Sequence, residues 1–259
     1  MNKFSFRLLL MIGSGLLLLF IIAPIVGMFI STSAPDLFAT INDEEVLKSI
    51  RLTLLTSLGA TIFMSIGAIP LAYLLARRNF FLKRLVLGII DLPIVIPHSA
   101  AGIAMLGFLS RNSLLGKAAS SVGLEFVGNP FGIAAAMAFV SIPFLVNAAR
   151  DGFLSVPVRL EKTAMSLGAS PARVFFTISV PLAGRSIISG FVMMFARGLS
   201  EFGAIVIIAY HPMVTPVLIF ERFGSYGLQY ARPVAVVFIL VCLIFFILLR
   251  YISGGKKNA

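Results

Sequence analysis

Apolar residues are concentrated in six long runs along this chain, with short polar segments between them. A helix needs about 20 apolar residues to cross a bilayer, whereas the strands of a membrane barrel alternate over roughly ten residues. The pattern therefore predicts an all-α integral membrane protein with six transmembrane helices, in a single domain that covers residues 1–259. The predicted spans are Leu8–Ile30, Leu52–Ala76, Leu85–Leu109, Phe131–Ala149, Ser186–Tyr210 and Pro233–Ile252.

Composition supports this class and excludes others. Apolar residues make up 59% of the chain and charged residues 12%, and the mean hydropathy is +1.05, which is beyond the range of a soluble domain. Cys242 is the only cysteine in the sequence, which excludes a disulfide framework and a thiolate metal site. The first run begins like a signal peptide but is too long for the apolar core of one, so we expect it to be retained as a span.

The formal net charge of +11 raises the question of whether the chain binds nucleic acid. Lys and Arg lie between the apolar runs rather than in one stripe with aromatic residues, so we expect a lipid bilayer around the chain and no nucleic acid. Fourteen of these basic residues lie on one side of the predicted spans and six on the other. By the positive-inside rule, both termini and the loop of residues 150–185 are cytoplasmic in a multi-pass protein of the cell membrane.

The loop of residues 150–185, between the fourth and fifth spans, carries helix signals of its own. The pattern predicts a helix over Val158–Leu167 that ends at Gly168 in the left-handed conformation. Ser170 then suits the N-cap of a second helix, and Pro171 suits its first position. We therefore expect two short helices that meet at an angle.

The second loop helix is predicted to reach about Ser179 and to end before Pro181. The two helices carry more apolar surface than a simple connection needs. We expect part of this surface to pack on the membrane helices and part to enter a groove on a partner, so the loop is interpreted as a docking surface. Its apolar members are Leu160, Met165, Leu167, Val174, Phe175 and Phe176.

Two prolines interrupt the third span. Pro93 and Pro97 each remove a backbone donor, which predicts a kink or local unwinding near the cytoplasmic start of the span. Broken helices often line the pathway of a transporter, but prolines also produce simple packing kinks, and both interpretations stay open. Asp91 and His98 flank the break; they are too few to hold a metal ion, and we expect His98 to donate a hydrogen bond.

Two charged residues stand within the fifth span. Arg197 and Glu201 are four residues apart, so they share one face of a helix and can pair. Charges within a membrane usually face a bundle interior or an aqueous cavity. A gate that closes against a symmetry mate and a structural ion pair are both compatible with this pattern. Ser200 is one of several small residues nearby that allow close helix approach.

The loop also carries a motif with a defined spacing. Glu161–Gly168 reads EKTAMSLG and, after a spacer of nine residues, Ile178–Pro181 reads ISVP. This arrangement resembles the EAA signature of ABC importer membrane subunits, which is EAA, three residues, Gly, nine residues and I-x-L-P. Ala164 matches the signature in register, as do the glycine and both ends of the second block. The departures are Lys162, Thr163 and Val180.

The resemblance extends over most of the chain. Residues 91–106, 166–182 and 196–213 are similar to the membrane subunit of molybdate/tungstate ABC importers, and sulfate importers carry related versions of all three stretches. The resemblance implies a homodimeric permease for tetrahedral oxyanions that works by alternating access. It also implies two cytoplasmic ATPase subunits, which would hold the ATP and Mg²⁺, and an external oxyanion-binding protein. No cofactor is expected in this chain.

Two sets of candidate site residues follow from the motif and the intramembrane polar groups, and neither is catalytic or metal-binding. Coupling to the ATPase is expected at Glu161, Lys162, Thr163, Ala164, Leu167, Gly168, Ala169, Ser170 and Pro171. The translocation pathway or gate is expected at Pro93, Pro97, His98, Arg197, Ser200 and Glu201.

The sequence contains no GxxxxGK[ST] phosphate loop, so we expect a transport subunit that is not itself an enzyme, with ATP hydrolysis in a partner chain. Two alternatives remain. One is a sulfate or thiosulfate ABC permease. The other is an ion-coupled secondary transporter that uses Arg197, Glu201 and Asp91 as a relay, although the chain lacks the repeated second half that such transporters have.

Overall fold

The structure is a computed structural model that describes residues 3–254, and throughout these residues every regular element is a helix. Phe175–Ser179 forms a π-helical turn between two of the helices. The helices are α1 (Lys3–Ile30), α2 (Ala34–Ile41), α3 (Glu44–Arg77), α4 (Lys83–Val95), α5 (His98–Leu109), α6 (Leu114–Ser120), α7 (Pro130–Ser155), α8 (Val158–Ser166), α9 (Pro171–Val174), α10 (Val180–Leu199), α11 (Ile205–Ile208), α12 (Thr215–Tyr226) and α13 (Leu228–Gly254).

Five helical segments are long and apolar enough to cross a membrane, and the bent pair α4 and α5 makes a sixth span when it is counted as one. This result confirms the predicted all-α membrane class. The predicted position of both termini also rests on Lys256 and Lys257, which lie outside the described residues. The five segments are Arg7–Ile30, Glu44–Arg77, Pro130–Ser155, Pro171–Leu199 and Leu228–Leu249.

The third predicted span, Leu85–Leu109, is two helices rather than one. α4 and α5 are separated by Ile96 and Pro97 and are bent by 112° relative to each other. Pro97 cannot donate a backbone hydrogen bond, and α5 begins immediately after it, whereas Pro93 stays inside α4. Because α4 has 13 residues, the break lies about 20 Å along the span. The predicted interruption of the span is therefore present, but its predicted position near the start of the span was wrong.

The fifth predicted span, Ser186–Tyr210, is displaced towards the N-terminus. The helical segment runs from Pro171 to Leu199 through the π-helical turn. Beyond Leu199 the chain leaves the helix, and the short α11 at Ile205–Ile208 packs against α5 and α7. The residues after Leu199 therefore do not extend the span. Their apolar side chains are buried within the bundle instead.

Close packing of α3, α7 and α10 forms the centre of the bundle. A Cβ added to Gly152 of α7 would lie 2.5 Å from the Cβ of Ser186 in α10. A Cβ added to Gly198 of α10 would lie 2.5 Å from the hydroxyl of Ser57 in α3, and that hydroxyl donates to the carbonyl of Phe195 at 2.8 Å. Lipid provides little hydrophobic drive for helices to associate, so small residues stabilise the contact by letting the backbones approach.

The short helices α2, α6 and α12 have no counterpart in the sequence prediction. α12 is held to the start of α3 by Arg222, whose Nη2 lies 2.6 Å from a carboxylate oxygen of Asp43 and 3.0 Å from one of Glu45. α1, at the other extreme, is almost fully exposed in the single chain and contacts mainly α13. The fold is thus a tight central bundle with one loosely attached peripheral helix.

Candidate functional site

The predicted turn between two short helices is present at Leu167–Ser170, and we call residues 156–170 the elbow. α8 covers Val158–Ser166 and ends one residue before its predicted limit. Gly168 has a φ of +89°, the left-handed conformation that glycine adopts without strain. The Ser170 side chain accepts a hydrogen bond from the backbone N–H of Arg173, and Pro171 begins the next helix. The predicted conformation of Gly168, the N-cap at Ser170 and the position of Pro171 are therefore confirmed.

The sequence predicted that the second loop helix ends before Pro181. In the structure this helix continues through Pro181. α9, the π-helical turn and α10 follow one another without a break, so this helix is the beginning of the fifth span. Pro181 lies in the first turn of α10, where a missing N–H is tolerated. The connection between the fourth and fifth spans is therefore the elbow alone, because residues 150–155 belong to α7 and residues 171–185 to the fifth span.

Most of the predicted coupling residues lie on the outer surface of the elbow. Leu167 is 84% exposed, which is unusual for a leucine that is not at an interface or against lipid. Ala164 and Ala169 are half-buried beneath this surface. The exposed members are Lys162, Thr163, Leu167, Gly168, Ser170 and Pro171.

Glu161 differs from the other predicted coupling residues because it points inwards and is only 3% exposed. The guanidinium of Arg77, at the end of α3, donates to both carboxylate oxygens from Nε at 3.0 and 2.9 Å, and to Oε1 from Nη2 at 2.7 Å. The hydroxyl of Ser179 donates to Oε1 at 2.7 Å, and that of Tyr73 donates to Oε2 at 3.3 Å. Glu161 therefore has no free face to offer to a partner protein.

The ionisation of Glu161 follows from these contacts. Burial raises the pKa of its carboxyl, but hydrogen bonds from Arg77 and Ser179 outweigh burial and hold the pKa below the ordinary value of 4.5. A carboxyl with a depressed folded-state pKa stabilises the fold above the unfolded value, and this contribution is lost as pH falls through the folded-state value. The ion pair is therefore fully formed at neutral pH and weakens only below 4.5.

The second candidate site lies where the start of α5 meets the end of α10. The ring Nδ1 of His98, the first residue of α5, is 2.7 Å from Oε2 of Glu201. Nη2 of Arg197, in the last turn of α10, lies 3.1 Å from the same carboxylate oxygen and 2.8 Å from His98 Nε2. Glu201 is fully buried, and its Oε1 accepts the backbone N–H of Ala204 at 2.9 Å.

Nη2 of Arg197 lies against the His98 ring at nearly equal distances from both nitrogens, 2.9 Å from Nδ1 and 2.8 Å from Nε2. With the ring proton on Nδ1, the ring donates to Glu201 and Nε2 is the acceptor that faces Arg197. Buried polar groups in such a network stabilise the structure only when each has its partner. The backbones are equally close, since a Cβ on Gly203 would lie 2.7 Å from the Cβ of His98. The network therefore ties the start of α5 to the turn after α10.

The contact predicted between Arg197 and Glu201 is present, although Glu201 lies beyond the end of the helix rather than within it. Their contact with His98 was missed, because a pattern of nearby residues cannot reveal a partner 103 residues away. Ser200 is exposed, and its hydroxyl accepts a hydrogen bond from Arg197 at 3.3 Å. Asp91 lies apart from this network and accepts from the side chain of Asn147 at 2.6 Å.

The other predicted residues occupy simpler environments. Pro93 is buried within α4 and Pro97 is exposed at the break. Sequence reasoning missed Ser179 and Tyr73, and treated Arg77 only as a charge that reports topology. Within residues 3–254, no group of three or more His, Cys, Asp or Glu side chains is arranged to hold a metal ion.

Comparison with known proteins gives consistent results for sequence and structure. Residues 68–257 match the family model of the binding-protein-dependent transport system inner membrane component. The molybdate/tungstate transport system permease protein of Pyrococcus abyssi is 44% identical over 245 residues, which cover 93% of each chain. A probable sulfate transport system permease protein of Chlorokybus atmophyticus is 32% identical and covers 78% of this chain and 72% of its own.

The fold is similar to that of a solved ABC transporter chain. The bacterial alginate ABC transporter, crystallised in complex with an alginate pentasaccharide-bound periplasmic protein, matches with a TM-score of 0.76 and 18% identity. The match covers 99% of this chain and 98% of that one. At this level of identity, the likeness concerns the fold and not the substrate.

Proposed function

The chain belongs to the family of binding-protein-dependent transport inner membrane components, the permease subunits of ABC importers, and from this premise we propose that it imports molybdate or tungstate. The observation that carries the substrate is the 44% identity, over 93% of both chains, to a molybdate/tungstate permease. The proposed unit is a homodimer in the cell membrane, with two ATPase subunits on the elbow side and an oxyanion-binding protein on the opposite side. ATP and Mg²⁺ would be bound by the ATPases.

The elbow supports the proposed contact with an ATPase. It exposes Leu167, and the basic side chains of Lys162 and Arg173 lie on the same exposed stretch. A surface that combines an apolar anchor with charges suits a groove on a partner protein. We propose that ATP binding draws the two elbows together and that the membrane helices convert this movement into alternating access.

The network of His98, Arg197 and Glu201 supports the proposed pathway. The side chain of His98 is 37% exposed and that of Arg197 is 23% exposed in the single chain, although both lie within the membrane-spanning bundle. A charged group at that depth is too costly to face lipid, so a second subunit or an aqueous pathway must cover it. If this face lies on the axis of a homodimer, it is covered both by the second subunit and by an aqueous pathway between the subunits.

The proposed substrate and energy source can be tested in vesicles that contain this subunit, its ATPase and its binding protein. We expect molybdate or tungstate to stimulate ATP hydrolysis at a lower concentration than sulfate does. A stronger response to sulfate would favour the alternative of a sulfate or thiosulfate permease, to which a 32% identical relative points. Uptake driven by an ion gradient, without any ATPase, would overturn the importer and favour a secondary transporter.

Gly168→Val tests the elbow as the place of coupling. A β-branched residue is strained at a φ of +89°, although the Cβ has no neighbour within 4 Å, so the effect is on the turn and not on packing. We expect normal insertion in the membrane and a loss of ATP-driven uptake of about tenfold, since the strain is about 1–2 kcal/mol and displaces the exposed docking surface.

Gly168→Asn is the matched control, because asparagine tolerates the left-handed conformation better than valine does. It should retain most of the uptake of the unaltered protein. Equal uptake by the valine and the unaltered protein would show that the turn has no part in coupling.

A further inference from the structure

Two membrane elements converge on one buried side chain of the elbow. Glu161 in α8 is bound by Arg77 from the end of α3 and by Ser179 from the π-helical turn that begins the fifth span. Nη2 of the same guanidinium donates at 3.1 Å to the carbonyl of Val156, in the hinge between α7 and α8. We call Glu161, Arg77 and Ser179 the elbow joint.

The elbow joint is buried and held by several directed hydrogen bonds, whereas the outer surface of the elbow is exposed. A planar guanidinium that donates to both oxygens of a carboxylate fixes orientation as well as distance, and Ser179 is fully buried. Beneath it, the rings of Tyr73, Phe153 and Phe175 pack with centroids 5.0 to 6.1 Å apart. These rings belong to α3, α7 and the π-helical turn, so apolar contacts also join α3 to the π-helical turn and to α7.

We propose that Glu161 is a positioning residue that holds α8 to α3 and to the start of the fifth span, so that displacement of the elbow moves these two membrane helices. The proposal rests on the proposed function as an ATP-driven importer. It assigns roles to Arg77 and Ser179, which no sequence motif singles out, and it separates Glu161 from the exposed neighbours that would touch an ATPase. Glu161 transmits movement, whereas Lys162 and Leu167 receive it.

The first test concerns the joint itself and needs only the isolated permease. Nitroxide labels are placed at the exposed positions 163 in α8 and 79 just after α3, in a Cys242→Ser background, and their distance distribution is measured in detergent. Glu161→Gln should broaden the distribution and shift it to longer distances, because the charge of Arg77 loses its buried partner. An unchanged distribution would overturn the joint, whatever the protein transports.

The second test uses the full assembly of permease, ATPase and binding protein in vesicles. Glu161→Gln should still bind the ATPase, because the outer face of the elbow is unaltered, but the number of oxyanions imported per ATP should fall by about tenfold. Ser179→Ala, which removes one neutral donor, should lower the same ratio less. Glu161→Asp keeps the charge, so it should retain more of the oxyanion import per ATP than Glu161→Gln does.

Asp151→Asn is the matched control. It removes a carboxylate from the last turns of α7, close to the elbow in sequence, whose side chain is 72% exposed. It should leave the imported ions per ATP unchanged. An unaltered ratio in Glu161→Gln, or a loss of ATPase binding equal to the loss of uptake, would overturn the positioning role. If the unaltered assembly does not import oxyanions with ATP, the proposed function fails, and the label distances still decide whether the joint exists.

Discussion

Glu201→Ala should abolish transport and destabilise the permease by about 3–5 kcal/mol, the effect typical of breaking a buried ion pair. The carboxylate of Glu201 is fully buried and accepts hydrogen bonds from His98, Arg197 and the backbone of Ala204. Its removal leaves the guanidinium of Arg197 without its buried counter-charge within the membrane-spanning bundle. The start of α5 would then lose its connection to the turn after α10.

Removal of both charges should be less damaging than removal of Glu201 alone. The double variant Arg197→Ala with Glu201→Ala leaves no stranded charge. The sum of the thermal-stability losses of the two single variants should therefore exceed the loss of the double variant. The measurement is the temperature at which the detergent-solubilised assembly loses its monodisperse elution peak. Strictly additive losses would show that the two residues do not interact.

Lys48 and Glu44 provide the matched control for this cycle. They form the same i,i+4 type of pair, with N and O atoms 2.7 Å apart, but their side chains are 73% and 81% exposed. Solvent screens such a pair, so its removal should leave stability and transport nearly unchanged. A similar loss at both pairs would mean that burial does not set the cost.

The spans could be predicted from the sequence because hydropathy is a local property. Arg7–Ile30 and Leu228–Leu249 agree with the predicted runs within a few residues, except at the start of the last one. Hydropathy cannot separate an apolar segment that crosses the membrane from one that is buried within the bundle. For that reason the residues after Leu199 were assigned to a span, although they form a turn and the short α11.

The break in the third span shows a related limit. Both prolines are visible in the sequence, but only Pro97 separates two helices, and Pro93 is accommodated within α4. Which of them interrupts a helix depends on how neighbouring elements satisfy the freed backbone groups. The bend of 112° therefore follows from tertiary packing.

The residues of the candidate sites also fall into those that local sequence predicts and those that depend on distant partners. Gly168, Ser170 and Pro171 act on their immediate neighbours, so residue type alone predicted the turn and the cap. The direction in which Glu161 points depends on Arg77, 84 residues earlier, and no local signal distinguishes it from Lys162 beside it. Long-range partners of polar groups in a membrane bundle are fixed by helix packing, which the sequence pattern does not specify.

The contact between α7 and α10 gives the second large expected effect, because Gly152→Ala places a methyl group where none fits. Its Cβ would lie 2.5 Å from the Cβ of Ser186 and 3.3 Å from the carbonyl oxygen of Ala183, so one helix must move. Overpacking of this kind costs about 1–3 kcal/mol. We expect a clear loss of thermal stability in detergent, and reduced assembly in the membrane.

Ser186→Gly should partly rescue Gly152→Ala, because it removes the Cβ with which the new methyl group collides. Ser186→Gly alone should cost only about 0.5–1 kcal/mol, the helix propensity of glycine, so the double variant should be more stable than Gly152→Ala despite carrying two changes. Gly67→Ala in α3, where a Cβ has no neighbour within 4 Å, should be tolerated. If the double variant is less stable than either single variant, the tight approach of α7 to α10 is not what holds the centre of the bundle together.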